Sequence, residues 1–314
     1  MRLTTKSWLA RALSVAAAVA ALAAFCGALQ AADTGPVKLL RAIYGEEAGD
    51  FNLPEALSCG ERLTVADAGN KRLLFFEAAG EAFKPAGKFD ANGKLGAPFC
   101  VAEVAGGKLL VAERGKPTLT LCDPKANTAV PAVLQGVPQG SKLVPGRFCV
   151  NDKGRIFVID TAAPRIVALS PELRYEGEVS VTAKGFTGFS DVRYDRRGNL
   201  FALETLRGLV HVFDANLKPV RSFGSREGSG AAFEFPVSLA TDRQGNVYVA
   251  DSHRSQVLVL DAEGRLQWRL GGFGWKEGSF NEPGYVALDS ANRIFVVDRL
   301  NNRVQVFAPL RPME

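Results

Sequence analysis

FPVSLATDRQGNVYVADSHRSQVLVLDAEGRLQWRLGG, residues 235–272, reads as four short β-strands in a single unit. FPVSLATD is a first strand, RQGN a turn, VYVAD a second strand, SHRSQ a loop, VLVLD a third strand, AEGR a turn, and LQWRLGG a fourth strand ending in glycine. Alternating β-branched runs punctuated by Gly, Asn and Asp are the signals of antiparallel hairpins. The second strand ends on Asp251, and the same ending recurs as TVAD at Asp67, LVAE at Glu113, FVID at Asp160, FALE at Glu204 and FVVD at Asp298. Successive acids lie 46, 47, 44, 47 and 47 residues apart. Such constant spacing marks one supersecondary unit present in six copies, none able to bury its apolar face alone. Six four-stranded antiparallel units predict an all-β fold, a six-bladed β-propeller.

The ends of the chain say how the ring closes. The linker GEEAGDFNLP (45–54) matches GWKEGSFNEP (274–283) at both glycines, the Phe, the Asn and the Pro, so a fourth-strand ending precedes the first unit. The sixth unit reaches only a third strand at Phe307, with APLRPME after it. Residues 37–44 are therefore expected to form the outer strand of the last blade, which joins the two ends and removes an open edge.

Ahead of the repeats, residues 1–32 carry Arg2, Lys6 and Arg11, then an alanine-rich apolar run, then small residues at Ala31 and Ala32. This pattern reads as a cleavable signal peptide for export, leaving a single domain over 33–314 in the periplasm or outside the cell. The alternative is an uncleaved anchor, since 12–29 is nearly uninterrupted in its apolar character and sits at the lower edge of what spans a bilayer. Of 38 bases and 33 acids, three bases fall in this segment and no acid precedes Asp33, leaving 35 against 33. A near-neutral exported domain gives no electrostatic reason to expect nucleic acid.

Four cysteines follow the signal segment: Cys59, Cys100, Cys122 and Cys149. An oxidising compartment permits disulfides, with three full connectivities open. Cys100 and Cys149 start strands in consecutive units and are the neighbours to expect if a bridge forms, while Cys122 takes a slot filled elsewhere by Phe or Leu and reads as core. Their spacing does not suggest a zinc knuckle, and neither metal nor cofactor is expected.

YVADSHRSQVLVLDAEGRL, FVVDRLNNRVQVF and TVADAGNKRLLFF resemble the NHL repeat, and the resemblance covers essentially all of 37–307, strongest in the first, fifth and sixth units. It implies the six-bladed propeller and says little about function. Five residues after the acid stand Arg72, Arg165 and Arg303, so Asp67–Arg72, Asp160–Arg165 and Asp298–Arg303 are expected to brace one loop each. As partly exposed pairs they would contribute about 0.2–1 kcal/mol apiece.

Function is expected where the copies differ. The start of the first strand, the loop after the acid and the linker to the next blade share one end of the ring, the natural binding face. There Arg254 and Arg299 belong to a mildly basic set of loops, linker carboxylates including Glu46, Glu227, Glu277 and Glu282 offset it, and Trp275 is a candidate protein contact. The innermost positions of the six first strands are Ala56, Cys100, Arg147, Asp191, Ser238 and Tyr285. Arg147, Asp191 and Tyr285 could hold a small polar ligand on the axis, or Arg147 and Asp191 could simply neutralise one another.

Catalysis has few candidates. Of the two histidines, His211 falls in a strand and His253 in a face loop. Similar propeller lyases of amidating enzymes place several histidines on an axial metal, and calcium-dependent lactonases place several acids there. Here the inner row has no histidine and one acid, Asp191. The leading expectation is a monomeric protein-interaction or scaffolding module that binds another envelope or extracellular protein. The alternatives are an axial-site hydrolase or lyase using Asp191, Arg147, Tyr285 and His253, and a small-ligand sensor.

Overall fold

The computed structural model describes residues 37–45, 47, 49–138, 143–181, 184–226 and 232–310. The expected signal peptide, and with it Glu46 and Glu227, lies outside the described residues. Six four-stranded antiparallel sheets follow one another as blades. Blades 1 to 5 are simple meanders over 54–89, 98–131, 145–180, 191–223 and 236–271. Blade 6 has three strands of its own, Pro283–Leu288, Ile294–Asp298 and Arg303–Phe307, and takes Leu39–Ile43 as its outer strand. That strand runs antiparallel to the last, with Leu39 opposite Phe307 and Ile43 opposite Val304. Closure through the N-terminal strand is thus as expected.

The second strand of five blades is buried throughout, as in Leu63–Asp67 or Val247–Asp251, and that of blade 2, Lys108–Glu113, is buried after its first residue. Both of its faces meet neighbouring blades, so its apolar run is nearly continuous rather than alternating. The core is accordingly a set of packed layers between blades. Tyr248, Val257 and Val259 of blade 5, for example, meet Val286, Ile294 and Phe307 of blade 6. Outer strands alternate and face water, as the half-buried and exposed pattern of Leu266–Gly271 shows.

Five of the six inner strands begin on proline (Pro54, Pro98, Pro145, Pro236, Pro283), and each has a bulge directly after it. A proline at the start of an inner edge strand has no N–H to leave unpaired, and the bulge turns the following side chain toward the axis. Blade 4 departs from this, with Ser190 in the proline position and no register shift after it. The glycines that end fourth strands have a steric cause. Gly271 adopts φ +82°, and a Cβ there would lie 2.2 Å from the Phe280 ring; Gly224 meets Phe233 in the same way at 2.6 Å.

Candidate functional site

The six repeated acids clamp the linker that enters their own blade. Asp298 accepts from the backbone N of Asn281 (2.7 Å), from Arg303 Nε (2.7 Å), from Asn301 (2.9 Å) and from Gln305 (3.0 Å). Asp67 accepts from Asn52 N (2.7 Å) and Arg72 Nε (2.7 Å), and Asp160 from Val144 N (3.1 Å) and Arg165 Nε (2.8 Å). Asp251 takes Glu234 N and Phe235 N at 2.7 and 2.9 Å. The acids are buried, and so are Arg165 and Arg303, the latter only 2% exposed; of the three pairs read from the sequence as partly exposed, only Asp67–Arg72 keeps a half-buried arginine. Arg72 and Arg303 reach past the loop to linker carbonyls, Arg72 Nη2 to Gly49 O (2.7 Å) and Asp50 O (2.9 Å), whereas Arg165 Nη1 turns to Glu178 of the outer strand (2.9 Å). Losing one partner from such an arrangement leaves a buried charge without its complement, a larger cost than losing a surface pair.

The Glu units recruit a residue that sequence reasoning overlooked, seven positions after the acid. Thr120 Oγ1 bonds Glu113, and His211 Nε2 lies 2.9 Å from Glu204. Gln305 holds the same position after Asp298. Positions five and seven after the acid share one face of the third strand, so the period of two was the available signal. His211 also packs edge-on to Phe186 and Phe189 and belongs to the structure.

On the axis the structure brings Arg147, Asp191 and Tyr285 together and adds two residues. Asp191 is fully buried. Its Oδ1 accepts from Arg193 Nη1 (2.7 Å), and its Oδ2 from Ser238 Oγ (2.7 Å) and Leu239 N (3.0 Å). Arg147 stands farther off, 3.9 Å from Asp191, and donates across the ring to Val237 O (3.0 Å) and Gly284 O (3.1 Å). Both guanidiniums face the Tyr285 ring, Arg193 at 4.7 Å and Arg147 at 5.1 Å from its centre. Burial alone would lower the Arg193 pKa, but the Asp191 charge outweighs it and the guanidinium is held above its ordinary value. Burial raises the Tyr285 phenol. The inner row is thus a plug in which one carboxylate faces two arginines, and the partner closest to Asp191 is Arg193, not Arg147. Positions 191 and 193 share one face of the first strand, so the alternation of side chains was the signal that places Arg193 beside Asp191.

The other candidates stand apart from this network. His253 is exposed and stacks on Phe235, 4.4 Å between ring centres at 12°. Arg254 Nε lies 3.6 Å from Asp251 and 3.9 Å from Glu234. Arg299 reaches Glu55 (3.3 Å) and Glu282 (3.5 Å), and Arg114 also reaches Glu55 (2.9 Å). The basic loops are thereby paired with linker and strand carboxylates, which leaves a mixed surface. Among the described residues no three His, Cys, Asp or Glu side chains gather in a way that could hold a metal.

The four cysteines are free. Cys100 Sγ faces the Phe148 carbonyl at 3.4 Å and packs between blades 2 and 3, whereas Cys149 belongs to the layer between blades 3 and 4. The suggested bridge between them is not present, because the two side chains enter different layers. Burial pushes all four thiols up, Cys122 to about 12. A thiolate forms only as pH rises through the folded pKa, so at about pH 8 the native thiols stay protonated and slow to react. A chromogenic disulfide reagent at that pH should label buried Cys100, Cys122 and Cys149 only after denaturant is added, with half-buried Cys59 the one thiol open to slow reaction in the native protein. Rapid labelling of more than one thiol in the native protein would contradict the packing.

A model of the NHL repeat matches residues 233–260 and 280–307, the first three strands of blades 5 and 6. These two blades are similar to the NHL repeat. A search of curated proteins finds no match. Among solved structures, the chain is similar to a gluconolactonase from Xanthomonas campestris, with 18% identity, 90% of this chain and 97% of that one covered, and a TM-score of 0.64. A streptogramin B lyase shares 11% identity over 85% of this chain and 97% of its own, with a TM-score of 0.60. A virginiamycin B lyase from Staphylococcus aureus shares 9% over 81% and 80%, with a TM-score of 0.57. At such identities the likeness concerns the propeller fold alone.

The linker between blades 5 and 6 carries the most prominent surface feature of the loop face. Trp275 is 71% exposed and Phe273 66%, their rings in edge-to-face contact 5.4 Å apart. The indole is not folded back onto the blade. Its backbone is fixed all the same, because Arg303 Nη1 donates to Trp275 O (2.9 Å) and Nη2 to Lys276 O (2.8 Å). Exposed Leu300 is the neighbour of Asn301, whose side chain donates to Gly274 O (2.9 Å).

Proposed function

We propose that this NHL-repeat propeller is an exported protein-interaction module that docks another envelope or extracellular protein on the rim between blades 5 and 6. One observation carries the reading: two large aromatic side chains stand in solvent on a linker whose backbone an almost fully buried arginine holds. Aromatic anchors presented on fixed backbone are the usual centres of protein interfaces, since little ordering cost remains when the partner arrives. The flanking charges, Lys276, Glu277, Glu282 and Arg299, supply a mixed polar rim suited to a protein surface rather than to a polyanion. Export rests on the signal-like character of residues 1–32.

The test is site-specific photocrosslinking from position 273 in the native host, then affinity measurement with the captured protein. Trp275→Ala should weaken that affinity roughly ten- to hundred-fold, whereas Val133→Ser, an exposed apolar residue of blade 2, should leave it unchanged. A genuine partner whose affinity ignores Trp275 and Phe273 would overturn the reading.

A second reading follows from the gluconolactonase and lyase folds: a hydrolase or lyase acting at the axis. It has less support, because both oxygens of Asp191 are engaged and Arg147 is spent on carbonyls across the ring. Lactone hydrolysis by the purified protein, abolished in Asp191→Asn, would establish it.

A further inference from the structure

The position eight residues before each repeated acid is Cys59, Ala105, Asp152, Arg196, Arg243 and Ser290. Five of these six, all but Ala105, line one cavity of about 260 Å³ at the turn end of the axis, opposite the loop face. The repeat delivers a side chain from five blades to this mouth, and the six copies hold five residue types: thiol, methyl, carboxylate, two guanidiniums and hydroxyl. A ring used only for packing would be expected to repeat its residue type, as the second strands do.

The charges are not balanced locally. Asp242 and Asp289 also line the cavity, but their carboxylates are consumed by their own turns. Asp242 accepts from the backbone N of Gln244, Gly245 and Asn246 (2.8–2.9 Å) and from Asn246 Nδ2 and Tyr248 OH at 2.7 and 3.2 Å. Asp289 accepts from Ala291 N, Arg293 N and Arg293 Nε. Arg196 and Arg243, from adjacent blades, are exposed, and among the described residues no ion pair or hydrogen bond engages either guanidinium. The wall beside them is rigid, since Tyr194 stacks on Phe157 at 5.5 Å and 11°. In ring order the single free acid, Asp152, adjoins Arg196 and the Ser290 hydroxyl adjoins Arg243, with Cys59 of blade 1 across the mouth.

We propose that this turn-end mouth is a binding site for a small organic anion, a carboxylate or phosphate held between Arg196 and Arg243. Two guanidinium forks from neighbouring blades match the planar or tetrahedral oxygens of such groups. The cavity is just below the size of drug-like pockets, so the ligand is metabolite-sized. Asp152 and Ser290 flank the two arginines and favour a hydroxyl or amino substituent next to the anionic group. The site lies at the other end of the axis from the aromatic rim, with the Arg147–Asp191–Tyr285 plug between, so it stands or falls independently of the docking face.

Titration calorimetry of the full propeller with inorganic phosphate and, separately, succinate tests this. At least one should bind saturably, and whichever binds identifies the headgroup. The Arg196→Ala/Arg243→Ala double variant should weaken binding roughly ten-fold or more, while Arg197→Ala, an exposed arginine on the same turn outside the cavity lining, should not. Both variants change exposed side chains, and an unchanged thermal transition confirms that they fold. No saturable binding of either anion up to about 10 mM, or equal loss in Arg197→Ala, would overturn the proposal.

Discussion

Removal of everything up to Tyr44 should abolish the soluble propeller, and moving residues 37–44 behind Phe307 through a short turn should restore it. The outer strand of blade 6 is the only one that arrives from the far end of the chain among the described blades. Its loss would uncover Val304 and Val306, both fully buried, and remove Ile43 and Val37 from the core. Burial of Ile43 and Val37 is worth about 3–6 kcal/mol. A domain's whole stability is about 5–15 kcal/mol. The exposed strand would also present unpaired backbone groups along Arg303–Phe307, a template for association with other chains. In the transposed chain the pairing is unchanged, because Leu39–Ile43 already runs antiparallel to Arg303–Phe307, and Ala308 N already donates to Lys38 O (2.8 Å). Blade 6 would become a simple meander like blade 5. Size-exclusion chromatography and thermal unfolding read both outcomes. A truncated chain that stays monomeric with an unchanged transition would show that closure is not what stabilises the ring.

The repeat was legible because burial on both faces forces an apolar second strand, and the buried acid at its end has one structural task in all six blades. Closure was legible because the 45–54 and 274–283 linkers share the glycines and the Phe that their packing requires. What escaped the sequence is three-dimensional convergence. Asp191 and Arg193 are partners because they share a strand face, and Arg147 crosses the axis to carbonyls of blades 5 and 6, which no spacing announces. The exposure of Trp275 depends on how its linker is tied to Arg303. The turn-end mouth was invisible for the opposite reason to the acids: its positions are equivalent but their residues differ, so no motif forms. The buried pairs were undervalued because a spacing of five residues between Asp and Arg carries no information about solvent.

Replacing Arg303 with Met should cost about 3–5 kcal/mol, the range for breaking a buried ion pair from one side. For a chain of this size that corresponds to a fall of roughly 6–20 °C in Tm, from about 2–4 °C per kcal/mol. The side chain is 2% exposed and makes bonds at every nitrogen: Nε to Asp298 (2.7 Å), Nη1 to Trp275 O (2.9 Å) and Tyr44 OH (3.2 Å), Nη2 to Lys276 O (2.8 Å) and Ser279 O (3.0 Å). Met fills much of the same volume, so the deficit reports the lost polar contacts and the Asp298 carboxylate left behind. Arg299→Met is the control. Arg299 is also paired, but 31% exposed and at longer range, and its loss should stay within about 1 kcal/mol. Equal effects in the two variants would return the repeated pairs to the status of ordinary surface contacts. The same substitution also reaches function. Arg303 fixes the carbonyls of Trp275 and Lys276, so a folded Arg303→Met protein below its transition should bind the docking partner more weakly although Trp275 itself is intact. Pre-organisation of the anchor, and not only its exposed area, would then be what the buried repeat contributes to the interface.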